Sequence, residues 1–219
     1  MGERHLQAEI IEIVDEFRDL LLMHIFYLLL AIAAITALYS VTDLFATPAA
    51  TFVPSLVVTI YGQFVVVERL LRDRLPDGKG YRRFGSIFGS GFLSGLAIAL
   101  ALVALVIPGI YLVARWSIAV PTIVAENRSS SESLTASWER TAASILPIFL
   151  VYLVAMIVWG GSIWLSIVFS TGTIDVNSMM LIVLGNALVG GVSVLGWVLS
   201  VAIYRCITPD DKRFDAVFA

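Results

Sequence analysis

The sequence predicts an all-α integral membrane protein with six transmembrane helices, both termini in the cytoplasm, and two amphipathic interfacial helices. Of the 219 residues, 59% are hydrophobic and 14% are charged, whereas soluble chains are about 45 to 50% apolar and about 25% charged. Six apolar runs are long enough to cross a bilayer, which takes about 20 helical residues. Apart from Arg115, lysine and arginine occur only before the first run, after the last run and in alternate connections between the runs. A single membrane domain over residues 1–219 follows.

The first two elements are an amphipathic helix over residues 6–19 and the span that follows it. Apolar side chains of the helix fall on one stripe and acidic side chains fall off it. No signal-peptide cleavage site ends the first apolar run, so we expect it to remain as a span. Because the polar face is acidic, anionic lipid cannot hold this helix to the membrane. We expect the helix to dock on the basic loop at residues 69–83, and a solvated helix is the alternative.

The six predicted spans cover residues 20–40, 52–71, 87–106, 110–125, 145–169 and 179–204. The second begins with Pro54 in its first turn, where a missing N–H costs little. The third and fourth come from one almost uncharged stretch that is roughly twice as long as a single crossing requires. Pro108 and Gly109 lie near its middle, and such a pair is typical of a chain reversal. We therefore predict a short hairpin at this pair.

The second amphipathic helix is predicted over residues 130–143. Ser129 and Glu132 have the spacing of a capping box, in which each side chain satisfies a free N–H of the first turn. One face of the helix contains Leu134, Trp138 and Thr141. We expect this face to lie on the bilayer surface with the tryptophan at headgroup depth, and a simple connector is the alternative.

The distribution of positive charge predicts the orientation and the environment. Basic residues precede the first span and follow the second, fourth and sixth, and such segments are retained in the cytoplasm. We therefore expect a multi-pass protein of the cell inner membrane with membrane lipids as its partners. A net charge of -3 provides no dense basic face for nucleic acid. A membrane-protein partner or a second copy of the chain is left open, and neither a metal nor another cofactor is expected.

The segment from Ile107 to Glu126 and the Ser-Trp-Glu-Arg-Thr run at residues 137–141 form a recognisable pattern. This pattern resembles the membrane domain of glycerophosphodiester phosphodiesterases and of uncharacterised YciC-like bacterial membrane proteins. The matching positions are Pro108, Gly109, Tyr111, Pro121, Ser137, Trp138 and Thr141. In that family the catalysis belongs to a separate soluble barrel, which needs about 250 residues. The resemblance therefore implies a membrane part without catalytic activity of its own.

Arg115 is the only basic residue in the interior of a predicted span, since Arg69 lies at the very end of the second, and an arginine at such a position suggests a function because it is costly in lipid. We expect it to reach the external interface or a lipid phosphate, with Asp43 and Asp175 as the nearest acids. Structural anchoring is favoured over contact with a substrate. Glu126 closes the fourth span and is expected to be a solvated boundary residue.

Internal spacing predicts two further features. Residues 6–72 and 131–205 share the order amphipathic helix, span, polar loop, span, which suggests a parallel repeat. Small residues four apart predict close packing of helices. They are Gly85, Gly89, Gly91 and Gly95 in the third span, and Ala187 with Gly191 in the sixth.

No catalytic motif of the hydrolases, metalloproteases or phosphate-binding loop enzymes is present in the sequence. We therefore predict a non-enzymatic inner-membrane protein that acts as a scaffold or modulator of the bilayer or of a membrane partner. The alternative is a small transporter or lipid-handling protein, with Arg115, Gln63 and Asn186 lining a polar path. A water-accessible arginine would favour transport, and a dry, glycine-lined bundle would favour a scaffold.

Overall fold

The computed structural model describes residues 2–45, 48–75, 78–170 and 178–208. Within these ranges the chain forms helices and no strand. The helices of the described part are α1 (Gly2–Met23), α2 (Ile25–Phe45), α3 (Pro48–Leu70), α4 (Phe84–Ala104), α5 (Val106–Arg115), α6 (Ala119–Glu126), α7 (Ser130–Arg140), α8 (Ile145–Ser170) and α9 (Ser178–Ile207).

Six segments of the described part are long and apolar enough to span a membrane. They are Ile25–Asp43, Val53–Leu70, Phe84–Ala104, Val106–Glu126, Ile145–Leu165 and Met180–Ile207. Large apolar side chains cover the outside of the bundle; Phe26 and Val103, for example, are 87% and 88% exposed. Such a surface is unfavourable in water and suits lipid, so the chain has the character of a multi-pass membrane protein, as predicted.

The last helix, α9, is the centre of the bundle. It packs against α1, α2, α3, α6 and α8, whereas α4 and α5 pair with each other at the periphery. Its completely buried residues are Val194, Val198, Val201, Ala202 and Ile203. Their small or β-branched side chains leave room for several helices around a single one.

The amphipathic helix and the first span meet at His24, several residues later than the predicted boundary. α1 continues to Met23 and α2 begins at Ile25. The Leu20 carbonyl accepts a hydrogen bond from the His24 N–H at 3.1 Å, and the His24 carbonyl accepts one from the Leu28 N–H at 2.9 Å. Helical hydrogen bonding therefore crosses the junction, and the two helices are joined without a loop.

The third and fourth spans are joined at Leu105, so the prediction that Pro108 and Gly109 form the reversal was wrong. Leu105 has an extended backbone, with φ -160° and ψ 133°. Pro108 lies in the first turn of α5, where the missing N–H leaves no helical hydrogen bond unmade. A Cβ at Gly109 would lie 2.4 Å from the Leu102 side chain and 3.1 Å from its Cα. The glycine therefore permits close packing of α5 on α4.

Only one of the four spaced glycines of α4 has a close neighbour in the described part. A Cβ at Gly89 would lie 2.5 Å from the Ser130 hydroxyl oxygen of α7, whereas one at Gly85, Gly91 or Gly95 would meet nothing within 4 Å. Gly191 also faces open space. The expected close packing therefore occurs at one position of the third span.

The packing of the two halves does not follow a two-fold repeat. α9 packs extensively on α2, but α3 and α8 form no comparable interface within the described part. Likewise, α1 packs on α8 and α9, whereas α7 packs on α4 and α6. The shared order of elements therefore does not produce equivalent interfaces.

Candidate functional site

The fourth span is interrupted in the middle, where one continuous helix over residues 110–125 was predicted. α5 ends at Arg115 and α6 begins at Ala119. The Ser137 hydroxyl donates to the Arg115 carbonyl at 2.8 Å and accepts from the Ile118 N–H at 3.3 Å. The Thr141 hydroxyl also donates to the Arg115 carbonyl, at 3.2 Å. Because unpaired backbone groups are costly in lipid, the interruption depends on these two hydroxyls.

Both hydroxyls belong to a face of small residues that α7 presents to the spans. Ser133, Ala136, Ser137 and Thr141 are buried on this face. The prediction that Thr141 shares an outward face with Leu134 and Trp138 was therefore wrong. The spacing of these small residues also places them on one helical face, but serine and threonine are polar, so the sequence did not indicate that this face is buried.

The predicted capping box begins α7. Reciprocal hydrogen bonds join Ser129 and Glu132, with the Ser129 N–H donating to the glutamate carboxylate at 2.8 Å. This hydrogen bond is the main reason that the pKa of Glu132 is lowered from its ordinary value. The box fixes the start of α7 at the point where Ser130 meets Gly89, and so sets how the helix lies on α4.

The guanidinium of Arg115 is covered by aromatic rings. Its Cζ lies 4.2 Å from the centroid of the Trp138 ring and 5.9 Å from that of Tyr111, and the residue is 6% exposed. Nε is buried without a hydrogen-bond partner, and the guanidinium has no acceptor or acidic partner in the described part of the chain. Stacking on two rings offsets only part of the lost hydration. Arg115 is thus a buried cation without a counter-charge among these residues.

This position differs from the expected one at the external interface. The side chain does turn toward Tyr111, one turn earlier in α5, but Trp138 covers it. Of the two expected acidic neighbours, Asp43 accepts a hydrogen bond from Asn186 instead, and Asp175 lies outside the described residues. The sequence placed the tryptophan on the bilayer surface and so gave no indication of this contact.

The other polar residues of the predicted path lie elsewhere. The Asn186 side-chain amide donates to the Ser40 hydroxyl at 3.2 Å and to the Asp43 carboxylate at 2.9 Å, which ties α9 to α2. Gln63 is half-buried in α3, and its side chain forms no hydrogen bond with any residue that the structure describes. Since these two residues and Arg115 have no partner in common, the structure does not assemble the path that the sequence suggested.

Glu126 is the acceptor of a network at the end of α6. Its Oε2 accepts hydrogen bonds from Arg128 Nε and Arg140 Nη2, each at 2.9 Å, and its Oε1 accepts from the Tyr204 hydroxyl at 2.9 Å. Its side chain is 22% exposed, so it is not the solvated boundary residue that we expected. The carboxylate joins α6, α7 and α9, and its hydrogen bond raises the pKa of Arg140.

Arg205, at the end of α9, holds α1 to the bundle. Its Nε pairs with Glu16 at 3.0 Å, and its Nη2 pairs with Asp73. Ile13 of α1 is buried beneath this network. The acidic helix was expected to dock on the basic residues of the loop at 69–83. The ion pair that the structure describes between α1 and the bundle is instead made by Arg205 of α9. The loop contributes an acid, Asp73, to the same arginine.

The basic connections gather at one end of the bundle. Arg205 links α1 to the residues after α3, and the Arg83 guanidinium donates to the Asn127 carbonyl at 2.7 Å. The Gly80 N–H donates to the Glu68 carboxylate at 2.8 Å. Since these connections lie at the same end of the bundle, the chain runs along the bundle an even number of times between one connection and the next.

An apolar cleft of about 410 Å³ lies between α1, α8 and α9. Its lining includes Val14 and Phe17 of α1, Val154 and Trp159 of α8, and Gly196 of α9. Ligand sites commonly have volumes of about 300 to 1,000 Å³. The lining is apolar apart from the Trp159 indole N–H and the Tyr152 hydroxyl, so the cleft suits a hydrocarbon chain rather than a polar solute.

Comparisons with known proteins provide no relative for this chain. No family model matches the sequence, and neither a curated protein nor a solved structure matches it significantly. The resemblance to the glycerophosphodiester phosphodiesterase membrane domain therefore stays a prediction, and the chemistry of the sites must be argued from their own residues.

Proposed function

We propose that this chain is a non-enzymatic protein of the bacterial inner membrane that modulates the bilayer by binding its lipids. The apolar cleft between α1, α8 and α9 is the observation that carries the proposal. In a membrane the molecules that adjoin this cleft are lipids, so an acyl chain is its occupant. The resemblance to a membrane domain without catalytic activity supports the same conclusion.

The helix α1 distinguishes this cleft from an ordinary groove between spans. As an interfacial helix, it would bury its apolar face about 5 to 10 Å into the boundary between headgroups and chains. Ile13, Val14 and Phe17 would then form a wall of the cleft at the depth where an acyl chain begins. The ion pair between Glu16 and Arg205 holds α1 in place without help from anionic lipid.

The selectivity of the cleft must come from its shape. Lipid tails are as apolar as the lining, so the hydrophobic effect gives little net gain when a chain enters from the bilayer. The remaining source of selectivity is close van der Waals contact with the branched and aromatic side chains of the lining. We therefore expect the protein to order particular lipids beside α1 rather than to extract them from the membrane.

The orientation is part of the proposal. We place the basic end of the bundle in the cytoplasm, because segments rich in lysine and arginine are retained there. Both termini and the interfacial helix α1 then lie on the cytoplasmic side, as does the start of α7, whose later residues reach the interruption of the fourth span. A transporter with a central polar path is less favoured, because Arg115, Gln63 and Asn186 do not converge.

Photo-crosslinking tests the cleft directly. The full chain is reconstituted with phosphatidylcholine that carries a diazirine in its acyl chain, and the crosslinked peptides are mapped by mass spectrometry. We expect crosslinks to concentrate on the cleft face of α8, around Val154 and Trp159. Gly196→Leu places a side chain in the cleft and should reduce them several-fold. Gly95→Leu is the matched control, because Gly95 also faces open space but lies on α4.

Labelling spread evenly around α8, or an equal loss in the two variants, would contradict the proposal. Even labelling would mean that the cleft orders no chain. An equal loss would mean that a leucine on any outer face disturbs the bundle.

A further inference from the structure

Arg115 differs from the other partly buried arginines of the described chain in lacking an acceptor. Arg128 and Arg140 share Glu126, and Arg205 binds Glu16 and Asp73. Arg115, which is more buried than these, has neither a carboxylate nor a carbonyl oxygen within hydrogen-bonding distance in that part of the chain. Ionised side chains inside a membrane are usually paired or mark the site of a ligand. The missing partner of Arg115 is therefore a reason to look for an anion.

The aromatic rings fix the guanidinium without using its donors. The centroid of the Trp138 ring lies 4.2 Å from Cζ, and none of the five N–H donors of the guanidinium is used in a hydrogen bond with a described residue. The Trp138 ring is itself held by Tyr111 and Trp116, each with a centroid 6.1 Å away. A guanidinium whose donors are unused offers a planar fork, which matches the paired oxygens of a phosphate or carboxylate.

The backbone around Arg115 is also fixed in advance. Its carbonyl accepts hydrogen bonds from Ser137 and Thr141, so the residue that ends α5 is anchored to the helix that supplies Trp138. Trp138 and Tyr111 are each 38% exposed. The rings that contact the guanidinium are therefore themselves partly exposed, so the site lies close to the surface of the bundle.

We infer that Arg115, with Trp138 and Tyr111, forms a binding site for a phosphate-type oxyanion at the interruption of the fourth span. The phosphate belongs either to a phospholipid headgroup or to a free phosphate ion, and both present the same paired oxygens. The site is separate from the acyl cleft, whose lining includes neither Arg115 nor Trp138. Each proposal can therefore fail without the other.

Titration of the purified full chain in a neutral detergent tests the site. One arm uses short-chain phosphatidylglycerol and the other uses inorganic phosphate, with tryptophan fluorescence and ligand-induced thermal stabilisation as readouts. We expect saturable binding in at least one arm, and the stronger arm identifies the source of the phosphate. Arg115→Gln removes the charge while keeping much of the length, and should weaken binding by about 10- to 100-fold.

The melting temperature without ligand separates a binding role from a structural one. Arg115→Gln removes a cation that has no acceptor among the described residues, so the melting temperature should stay the same or rise. Arg140→Gln is the matched control, because it removes an arginine that is paired with Glu126 and should lower the melting temperature. Absence of binding in both arms, or unchanged binding by Arg115→Gln, would overturn the inference. An equal loss of stability in the two variants would also overturn it, since Arg115 would then have a partner within the chain, such as Asp175.

Discussion

Neutralising Glu126 tests the network that joins α6, α7 and α9. The carboxylate accepts hydrogen bonds from Arg128, Arg140 and Tyr204 at 2.9 Å. A hydrogen bond to a charged group contributes about 1.5 to 3 kcal/mol, and one between neutral groups contributes about 0.5 to 1.5 kcal/mol. Glu126→Gln should therefore cost about 1 kcal/mol per bond. The total is roughly 2 to 3 kcal/mol, because the Arg128 side chain is 39% exposed and its share is reduced.

The free energy of unfolding in detergent micelles, measured by chemical denaturation, gives this cost. Glu139→Gln is the control, because Glu139 is exposed on α7, immediately before Arg140, and its side chain has no partner in the described chain. We expect the control to stay within about 0.5 kcal/mol of the parent. The reasoning is refuted if Glu126→Gln is equally mild, since the carboxylate would then contribute no more than a surface charge.

Three further perturbations follow from the fold. Gly109→Ala places a methyl group 2.4 Å from the Leu102 side chain and should cost about 1 to 3 kcal/mol in the same assay; Gly91→Ala, in open space, should be neutral or slightly stabilising. Ser137→Ala leaves the Ile118 N–H unpaired and the Arg115 carbonyl with only the Thr141 hydroxyl, so it should cost about 1 to 3 kcal/mol and speed local hydrogen exchange; unchanged exchange would contradict this. Since the pKa of Glu132 is lowered from 4.5, its contribution is present above that pH and is lost as the pH falls through the lowered value. The difference in melting temperature between the parent and Glu132→Gln should therefore vanish on acidification.

The spans could be predicted because length and composition alone determine whether a helix can cross lipid. Five of them are single helices near the predicted positions, and the capping box at Ser129 and Glu132 formed as its spacing indicated. The interruption of the fourth span could not be predicted. Trp116 and Ile118 are ordinary helical residues, and the hydroxyl that stabilises the break belongs to Ser137, in another helix.

The candidate sites show the same division between local and long-range information. Arg115 could be identified because its charge stands out in an apolar run. Its covering by Trp138 depends on how α7 lies across the spans, which no local pattern encodes. For the same reason, Glu126 was expected to be solvated, although Arg140 of α7 and Tyr204 of α9 both donate to it. The chain reversal was predicted at the proline–glycine pair, three residues after its position at Leu105. A proline also suits the first turn of a helix, and a glycine also permits close helix packing.

The arrangement of six crossings with the basic end in the cytoplasm is tested most directly by cysteine labelling in cells. Cys206 is the only cysteine, so Cys206→Ser provides a background without thiols. Ile107→Cys and Ser131→Cys then place single exposed thiols at opposite ends of the bundle. With a membrane-impermeant maleimide, we predict that Ile107→Cys is labelled in spheroplasts with an intact inner membrane and that Ser131→Cys is labelled only after lysis. The reverse order, or equal labelling of both before lysis, would contradict the account.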